Sequence, residues 1–304
     1  MSLTNYAPVP GKVIIVTGGN SGIGYEALKE LARLEATLIM ASRSEAKANA
    51  AISLLQQEYP NANVVFKELQ LADLASIKRF SDEIKRDYKQ LDILINNAGV
   101  MYGPYSKTSN GFEHQLGTNH FGHFALTAQL LPLLKKTPNS RIITVSSLAH
   151  RGGRMDFDNL QFERPGSYSP QKAYGRSKLA NLLFGYELDR ELKTAELDIK
   201  SIVVHPGVSK TNLFDQLASG PITRRLFQFM SIFIQSAKQG ALPTLYACFE
   251  PLQGGEYIGP DGFAELKGQA TMVKSSKASR NINDAKQLWR VSEELTGERF
   301  DFSK

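Results

Sequence analysis

The 304-residue sequence predicts a doubly wound α/β fold, a mostly parallel seven-stranded sheet with helices on both faces, built as one domain over 1–304. Two observations predict it. Short β-branched runs alternate with longer stretches of helical periodicity along nearly the whole chain, the order that builds parallel βαβ units. No linker, repeat or low-complexity tract interrupts them. Strands are expected at Lys12–Thr17, Thr37–Ala41, Val64–Leu69, Leu91–Asn96, Arg141–Ser146, Ile199–Val204 and Glu256–Gly259. Helices are expected at Gly22–Leu34, Glu45–Tyr59, Ser76–Tyr88, Phe112–Leu134, Gln171–Thr194, Ala237–Phe249 and Ile282–Leu295.

Two long stretches break the winding: 148–170 after the fifth strand, and 213–236 after the sixth. Both follow carboxyl ends of strands, where open α/β sheets bind their ligands. Loops of that length in a compact domain are usually functional. The first is expected to be a substrate-loop insert. The second carries Phe227, Phe229, Met230, Phe233 and Ile234 beside Arg224 and Arg225, and is expected to be a lid rather than a membrane-surface helix.

Composition narrows the partners. The net charge is +6, but Lys and Arg are scattered, with no basic stripe interleaved with aromatics, which argues against nucleic acid. A single cysteine, Cys248, excludes a disulfide framework and a thiolate cluster. His120 and His123 are three apart on a helix without acidic or thiol companions, so no metal site is expected and both are taken as packed or surface residues. Residues 1–10 lack the basic-then-apolar order of a signal peptide, and no apolar run reaches the ~18 residues of a spanning helix. The expectation is a cytoplasmic chain without an integral membrane segment; a homo-oligomer stays open.

The first strand runs into Thr17-Gly18-Gly19-Asn20-Ser21-Gly22-Ile23-Gly24 and then a helix. Glycines here let the backbone approach a pyrophosphate, which the free N–H groups of the helix N-terminus attract. The second strand ends in Ala41-Ser42-Arg43-Ser44. An acid at that place would accept the ribose 2′-OH of NAD; none is present, and Arg43 with Ser42 suits a 2′-phosphate. The cofactor expected is NADP(H).

The spacing T-G-x-x-x-G-I-G resembles the short-chain dehydrogenase/reductase family, and the resemblance runs nearly the whole length. Asp73, with Leu74, matches the family's adenine-contacting position; Asn97, Ala98 and Gly99 fall in its N-N-A-G segment. Pro206, Gly207, Val208 and Thr211 match the P-G-x-x-x-T that holds the nicotinamide carboxamide. The resemblance implies a Rossmann-type fold and hydride transfer between nicotinamide and a carbonyl or alcohol carbon. His205, just before Pro206, is expected to line the pocket floor.

Tyr174 and Lys178 stand four apart, hence on one face of a helix. A tyrosine has an intrinsic pKa near ~10, and a neighbouring ammonium is expected to lower it, making Tyr174 a general acid in reduction and a base in oxidation. The family adds a serine, for which Ser147 is preferred over Ser146 as the second of the pair, and a helix asparagine, matched by Asn119, that positions the lysine through a water. Ser147 and Tyr174 are 27 positions apart (174 minus 147), about twice the spacing in much of the family. The extra residues, and Ser177-Lys178-Leu179-Ala180-Asn181, resemble the retinol dehydrogenase and protochlorophyllide reductase branch, which handles bulky apolar substrates. A double-bond reductase of the protochlorophyllide type and a non-catalytic NADP(H)-binding sensor are the alternatives.

Overall fold

Every residue of the first strand, Val13–Thr17 (β1), is buried, and its side chains divide between two cores. Ile14 and Val16 face one side, packed with Leu28, Leu31 and Leu245; Val13 and Ile15 face the other, among Ile77, Phe80, Leu126 and Leu130. A strand covered on both faces needs apolar residues at consecutive positions, which is why these runs do not alternate with polar ones. Each fully buried large apolar side chain contributes roughly 1.5–3 kcal/mol. The computed structural model describes residues 6–208 and 235–303. The expected lid at 213–236 therefore lies outside the described residues, apart from its last two positions, as does Thr211.

The remaining strands are Thr37–Ser42 (β2), Val64–Glu68 (β3), Ile93–Asn96 (β4), Ser140–Val145 (β5), Ile199–Val204 (β6), Tyr257–Pro260 (β7) and Ala270–Met272 (β8). They form one sheet in the order β3-β2-β1-β4-β5-β6-β7-β8. All neighbours are parallel except β7 and β8, which pair antiparallel with Ile258 opposite Met272. The sheet thus has eight strands rather than the expected seven. The eighth is only Ala-Thr-Met at a sheet edge, too short and too little buried to leave a pattern in sequence.

Among the described residues the helices are Gly22–Ala32 (α1), Glu45–Glu58 (α2), Leu74–Asp87 (α3), His114–Leu116 (α4), Gly122–Lys135 (α5), Pro170–Thr194 (α6), Ala237–Gly240 (α7), Leu242–Phe249 (α8) and Ile282–Thr296 (α9). The helix expected over Phe112–Leu134 is interrupted: Gly117–Phe121 is a π turn between α4 and α5. Such turns widen the ladder by one residue and recur at functional sites. Beyond α9, Phe300 packs on Trp289 and Phe124 at centroid distances of 4.6 and 5.0 Å, which fastens the last residues to α5. Among the described residues no helix is long and apolar enough to cross a membrane.

The strand order reverses between β1 and β4, and the crevice at their carboxyl ends is where a doubly wound sheet binds its ligand. The 148–170 insert flanks that end. It folds into two short 3₁₀ turns, Leu148–Gly152 and Phe157–Asn159. Arg176 on α6 pins it by donating to the carbonyls of Arg154, Asn159 and Leu160 at 3.1, 2.7 and 2.6 Å. The Phe162 ring covers the same guanidinium, 3.9 Å from its centroid. A buried cation without a carboxylate partner is tolerable only when its donors are met in this way.

Candidate active site

The floor of the crevice is organised by Thr17 at the end of β1. Its hydroxyl oxygen accepts from the N–H groups of Asn97 and Ala98, both at 2.9 Å, and the Asn97 amide donates to the Thr17 carbonyl at 2.8 Å. These bonds bring the N-N-A-G segment beside the glycine turn. A Cβ on Gly18, whose φ is +66°, would sit 3.1 Å from Ala98, and one on Gly24 would meet the Gly18 carbonyl at 2.6 Å. Only glycine allows that approach. Ser21 opens α1 without a side-chain capping bond, and no acid lies in the first turn. The turn is therefore fit to receive a pyrophosphate on backbone N–H groups.

At the end of β2 the Ser42 hydroxyl is buried with no hydrogen-bond partner among the described residues. Arg43 is exposed and makes no salt bridge among them, yet it lies close enough to His114 to add to the burial that lowers that imidazole's pKa. An unmet hydroxyl beside an unpaired guanidinium fits a phosphate ester. Asp73 caps α3, accepting from the Ala75 N–H at 2.9 Å, so one carboxylate oxygen is engaged locally. Pro206, Gly207 and Val208 follow β6; Gly207 takes φ +66°, and Val208 N–H donates to the Leu266 carbonyl at 2.8 Å.

Ser147, Tyr174 and Lys178 converge at the end of β5. The Ser147 hydroxyl lies beside the Tyr174 phenol, near enough to favour its phenolate, and Ser147 Oγ accepts from Ala149 N–H at 3.2 Å. The neighbouring Ser146 hydroxyl instead donates to the Lys178 carbonyl at 2.7 Å, turned into α6. Ser146 is thus turned away from Tyr174, and Ser147, the serine preferred from the sequence, is the one beside it. Lys178 is buried and donates through Nζ to the Val145 carbonyl at 3.0 Å; Asn181 donates to the same oxygen, also at 3.0 Å.

Electrostatics correct one expectation. Burial pushes the Tyr174 phenol up to about 12, opposed by the Ser147 hydroxyl, and pulls Lys178 down to about 8. The ammonium does not lower the phenol here. Nζ stands 5.7 Å from the ring centroid, moored to a carbonyl, and desolvation dominates.

Asn119 lies within the π turn. Its amide donates to the Val100 carbonyl and to Ser177 Oγ, both at 2.9 Å, and accepts from Val100 N–H at 2.8 Å. Both amide hydrogens are thus engaged in tying the 100-loop to α6. A Cβ on Gly99 would lie 3.2 Å from Asn119 Oδ1 and 3.5 Å from Lys178 Nζ, so the asparagine and the lysine flank one glycine.

Three residues acquire roles that the sequence did not assign. His123 is buried, bridging Thr17 Oγ1 and the Asn119 carbonyl at 3.0 Å each. Burial lowers its pKa to about 4, so the ring is neutral at pH 7, with Nδ1–H donating to the carbonyl and bare Nε2 accepting from Thr17. Tyr102, at φ +59°, meets the Tyr174 ring edge-on at 5.3 Å. Gln115 holds that loop by accepting from Tyr102 N–H at 3.0 Å and donating to the Tyr168 hydroxyl of the insert at 3.1 Å. A non-glycine residue in the left-handed region was the missing signal for Tyr102, and it exists only in the backbone. His205 proves fully buried rather than lining an open floor. Cys248 packs in the apolar core, its thiol pushed up to about 12 by burial.

Comparison with known proteins agrees with this architecture. Residues 12–221 match the family model described as short chain dehydrogenase. Human retinol dehydrogenase 12 is 41% identical over 293 residues, covering 96% of this chain and 89% of that protein. A crystal structure of an uncharacterised protein from Mycobacterium paratuberculosis superposes with a TM-score of 0.83 at 38% identity, covering 99% of each chain. The Pseudomonas aeruginosa RhlG/NADP complex superposes at 0.68 over 85% of this chain and 98% of its own; at 23% identity it speaks for the fold alone. With the glycine turn, the N-N-A-G segment and the Ser147–Tyr174–Lys178 cluster at the carboxyl ends of the central strands, the chain belongs to the short-chain dehydrogenase family.

Proposed function

We propose that this protein transfers a hydride between NADP(H) and the carbonyl or alcohol carbon of a bulky apolar aldehyde, ketone or alcohol. The observation that carries the reading is the approach of the Ser147 hydroxyl to the Tyr174 phenol at the end of β5, with Lys178 buried one helical turn from the tyrosine. When bound, the dinucleotide supplies or accepts the hydride. Gly18, Asn20, Ser21, Gly22, Ile23 and Gly24 would hold its pyrophosphate. Asn97, Ala98 and Gly99 would border the nicotinamide ribose, and Asp73 with Leu74 the adenine. Pro206 to Val208, with Thr211, would hold the carboxamide. The unpaired Ser42 hydroxyl and Arg43 support the choice of NADP(H) over NAD(H).

In reduction, Ser147 and Tyr174 donate to the substrate oxygen and fix its carbon for attack. A phenol pushed up to about 12 is protonated at neutral pH, so Tyr174 holds the proton that the nascent alkoxide needs. Oxidation returns the proton to Tyr174. Lys178 supplies positive charge beneath this exchange, and Asn119 positions the loop and helix around it. An apolar substrate is supported by the Tyr102, Tyr105 and Tyr168 rings beside the crevice and by the retinol dehydrogenase relatives. A cytoplasmic location belongs to the same proposal.

A dark screen of NADPH and NADH oxidation with retinal, aliphatic aldehydes, ketones and enones tests it. NADPH-dependent reduction of apolar carbonyls is the expected result. Saturation of a double bond with the carbonyl intact, or tight NADPH binding without turnover of any carbonyl, would overturn it.

A further inference from the structure

A second charged cluster lies behind the Pro206–Gly207 turn. His205 is fully buried at the end of β6, its ring stacked on Tyr257 of β7 at 5.0 Å. Gly259 makes the space, for a Cβ there would fall inside the imidazole. On one side, the Gly207 N–H donates to His205 Nδ1 at 3.3 Å. On the other, Nε2 stands 3.1 Å from Glu265 Oε2, a close contact between two buried polar atoms that make no hydrogen bond among the described residues. The second carboxylate oxygen accepts from Arg151 at 2.7 Å, and Arg151 belongs to the 3₁₀ turn that Ser147 caps.

The backbone is bent to make this contact. Ala264 and Glu265 both lie in the left-handed region, at φ +50° and +59°. Non-glycine residues persist there only when their surroundings hold them, and such positions gather at functional sites. The next residue, Leu266, accepts from Val208 N–H at 2.8 Å, so the same loop grips the turn by its backbone.

We propose that Glu265 is a positioning residue for the nicotinamide end of the dinucleotide site, acting through the Nε2–H tautomer of His205. The proposal rests on the reading of the crevice given above. The chemistry is directional. An Nδ1 that accepts from Gly207 must carry no proton, so a neutral ring is protonated at Nε2, the nitrogen that faces the carboxylate. Burial keeps the ring neutral by lowering its pKa, against the opposing pull of Glu265, with Arg151 reinforcing the neutral form. Glu265 thereby selects the tautomer whose other nitrogen holds Gly207 in place. Arg151 extends the link to Ser147, so the turn for the nicotinamide and the serine for the substrate share one anchor.

The test pairs Glu265→Ala with Glu265→Gln, whose amide oxygen can still face Nε2–H. Nitrogen-15 NMR of the ligand-free protein reads the His205 tautomer, and titration with NADPH reads affinity without turnover. The unmutated protein should show the Nε2–H tautomer. Glu265→Ala should lose that preference and bind NADPH roughly tenfold more weakly, as expected for a lost charge-assisted contact. Glu265→Gln should keep the tautomer and most of the affinity, which also guards against misfolding of the alanine variant. An Nδ1–H ring in the unmutated protein overturns the proposal, as does Glu265→Ala binding NADPH normally. Failure of the unmutated protein to bind NADPH, with the tautomer as expected, overturns the cofactor reading and removes the proposed role with it.

Discussion

The ammonium of Lys178 donates to the carbonyl oxygen of Val145 at 3.0 Å, which moors it under the end of β5 rather than against the Tyr174 hydroxyl. The two groups therefore titrate by burial, the phenol near about 12 and the amine near about 8. The phenol stays protonated through the neutral range, and the ammonium loses its charge as pH rises through about 8. The rate of carbonyl reduction should be level from about pH 6 to pH 7 and decline through about pH 8, since of the two groups only the lysine changes charge there. Lys178→Met should lower the rate roughly 100-fold and abolish the decline. A reductive rate that climbs toward alkaline pH contradicts this assignment.

Cofactor preference should follow Arg43. NADPH is expected to bind more tightly than NADH, and Arg43→Asp should erase or invert the order. A lost charge-assisted contact to phosphate costs about 1.5–3 kcal/mol, roughly 10- to 100-fold in affinity. Titration of both dinucleotides checks it; equal affinity in the unmutated protein would refute the role of Arg43.

Gly153 ends the first turn of the insert against α6, where a Cβ would lie 2.8 Å from the Gly175 carbonyl carbon and 2.9 Å from Leu179 Cβ. Backbone cannot move aside cheaply. Gly153→Ala should cost about 1–3 kcal/mol of stability, read from denaturant midpoints. A change within about 0.5 kcal/mol would mean that the insert does not rest on α6 as described.

Much of this was legible in the sequence, for identifiable reasons. The inner strands β1, β2, β4, β5 and β6 are covered on both faces, so their apolar runs are nearly continuous. The glycine turn and the Tyr174–Lys178 spacing are local patterns, and local patterns survive in sequence. What escaped notice depends on long-range placement. The π turn at Gly117–Phe121 has ordinary helical residues, and its extra residue is visible only through its ladder. His123 reads as a helix residue until Thr17, 106 positions away, is placed beside it. The left-handed backbone at Tyr102 and Glu265 has no glycine to announce it. The direction of the Tyr174 shift is hidden from the sequence because charge proximity follows from spacing, whereas desolvation requires the packed structure.

Two buried imidazoles should make the fold acid-sensitive. Burial lowers His120 to about 3 and His123 to about 4, against an ordinary 6.5. Each stays neutral in the folded state while the unfolded chain takes up a proton. Stability is therefore intact above pH 6.5 and is lost as pH falls from there toward about 4. Each ring adds up to about 1.4 kcal/mol per pH unit to the slope. Denaturation at a series of pH values should show this, and His123→Gln, which carries no titrating ring, should flatten the slope by up to that amount. An unchanged slope would place the acid sensitivity elsewhere.

The central claim is that Tyr174 holds the proton for hydride transfer, and Tyr174→Phe tests it most directly. The ring still packs against Tyr102, so the fold and NADPH affinity should survive nearly intact, measured by thermal denaturation and dinucleotide titration. Turnover of an apolar aldehyde with NADPH should fall roughly 10²- to 10⁴-fold, the worth of a placed general acid. Retention of more than about a tenth of the normal rate, with binding unchanged, would contradict the account.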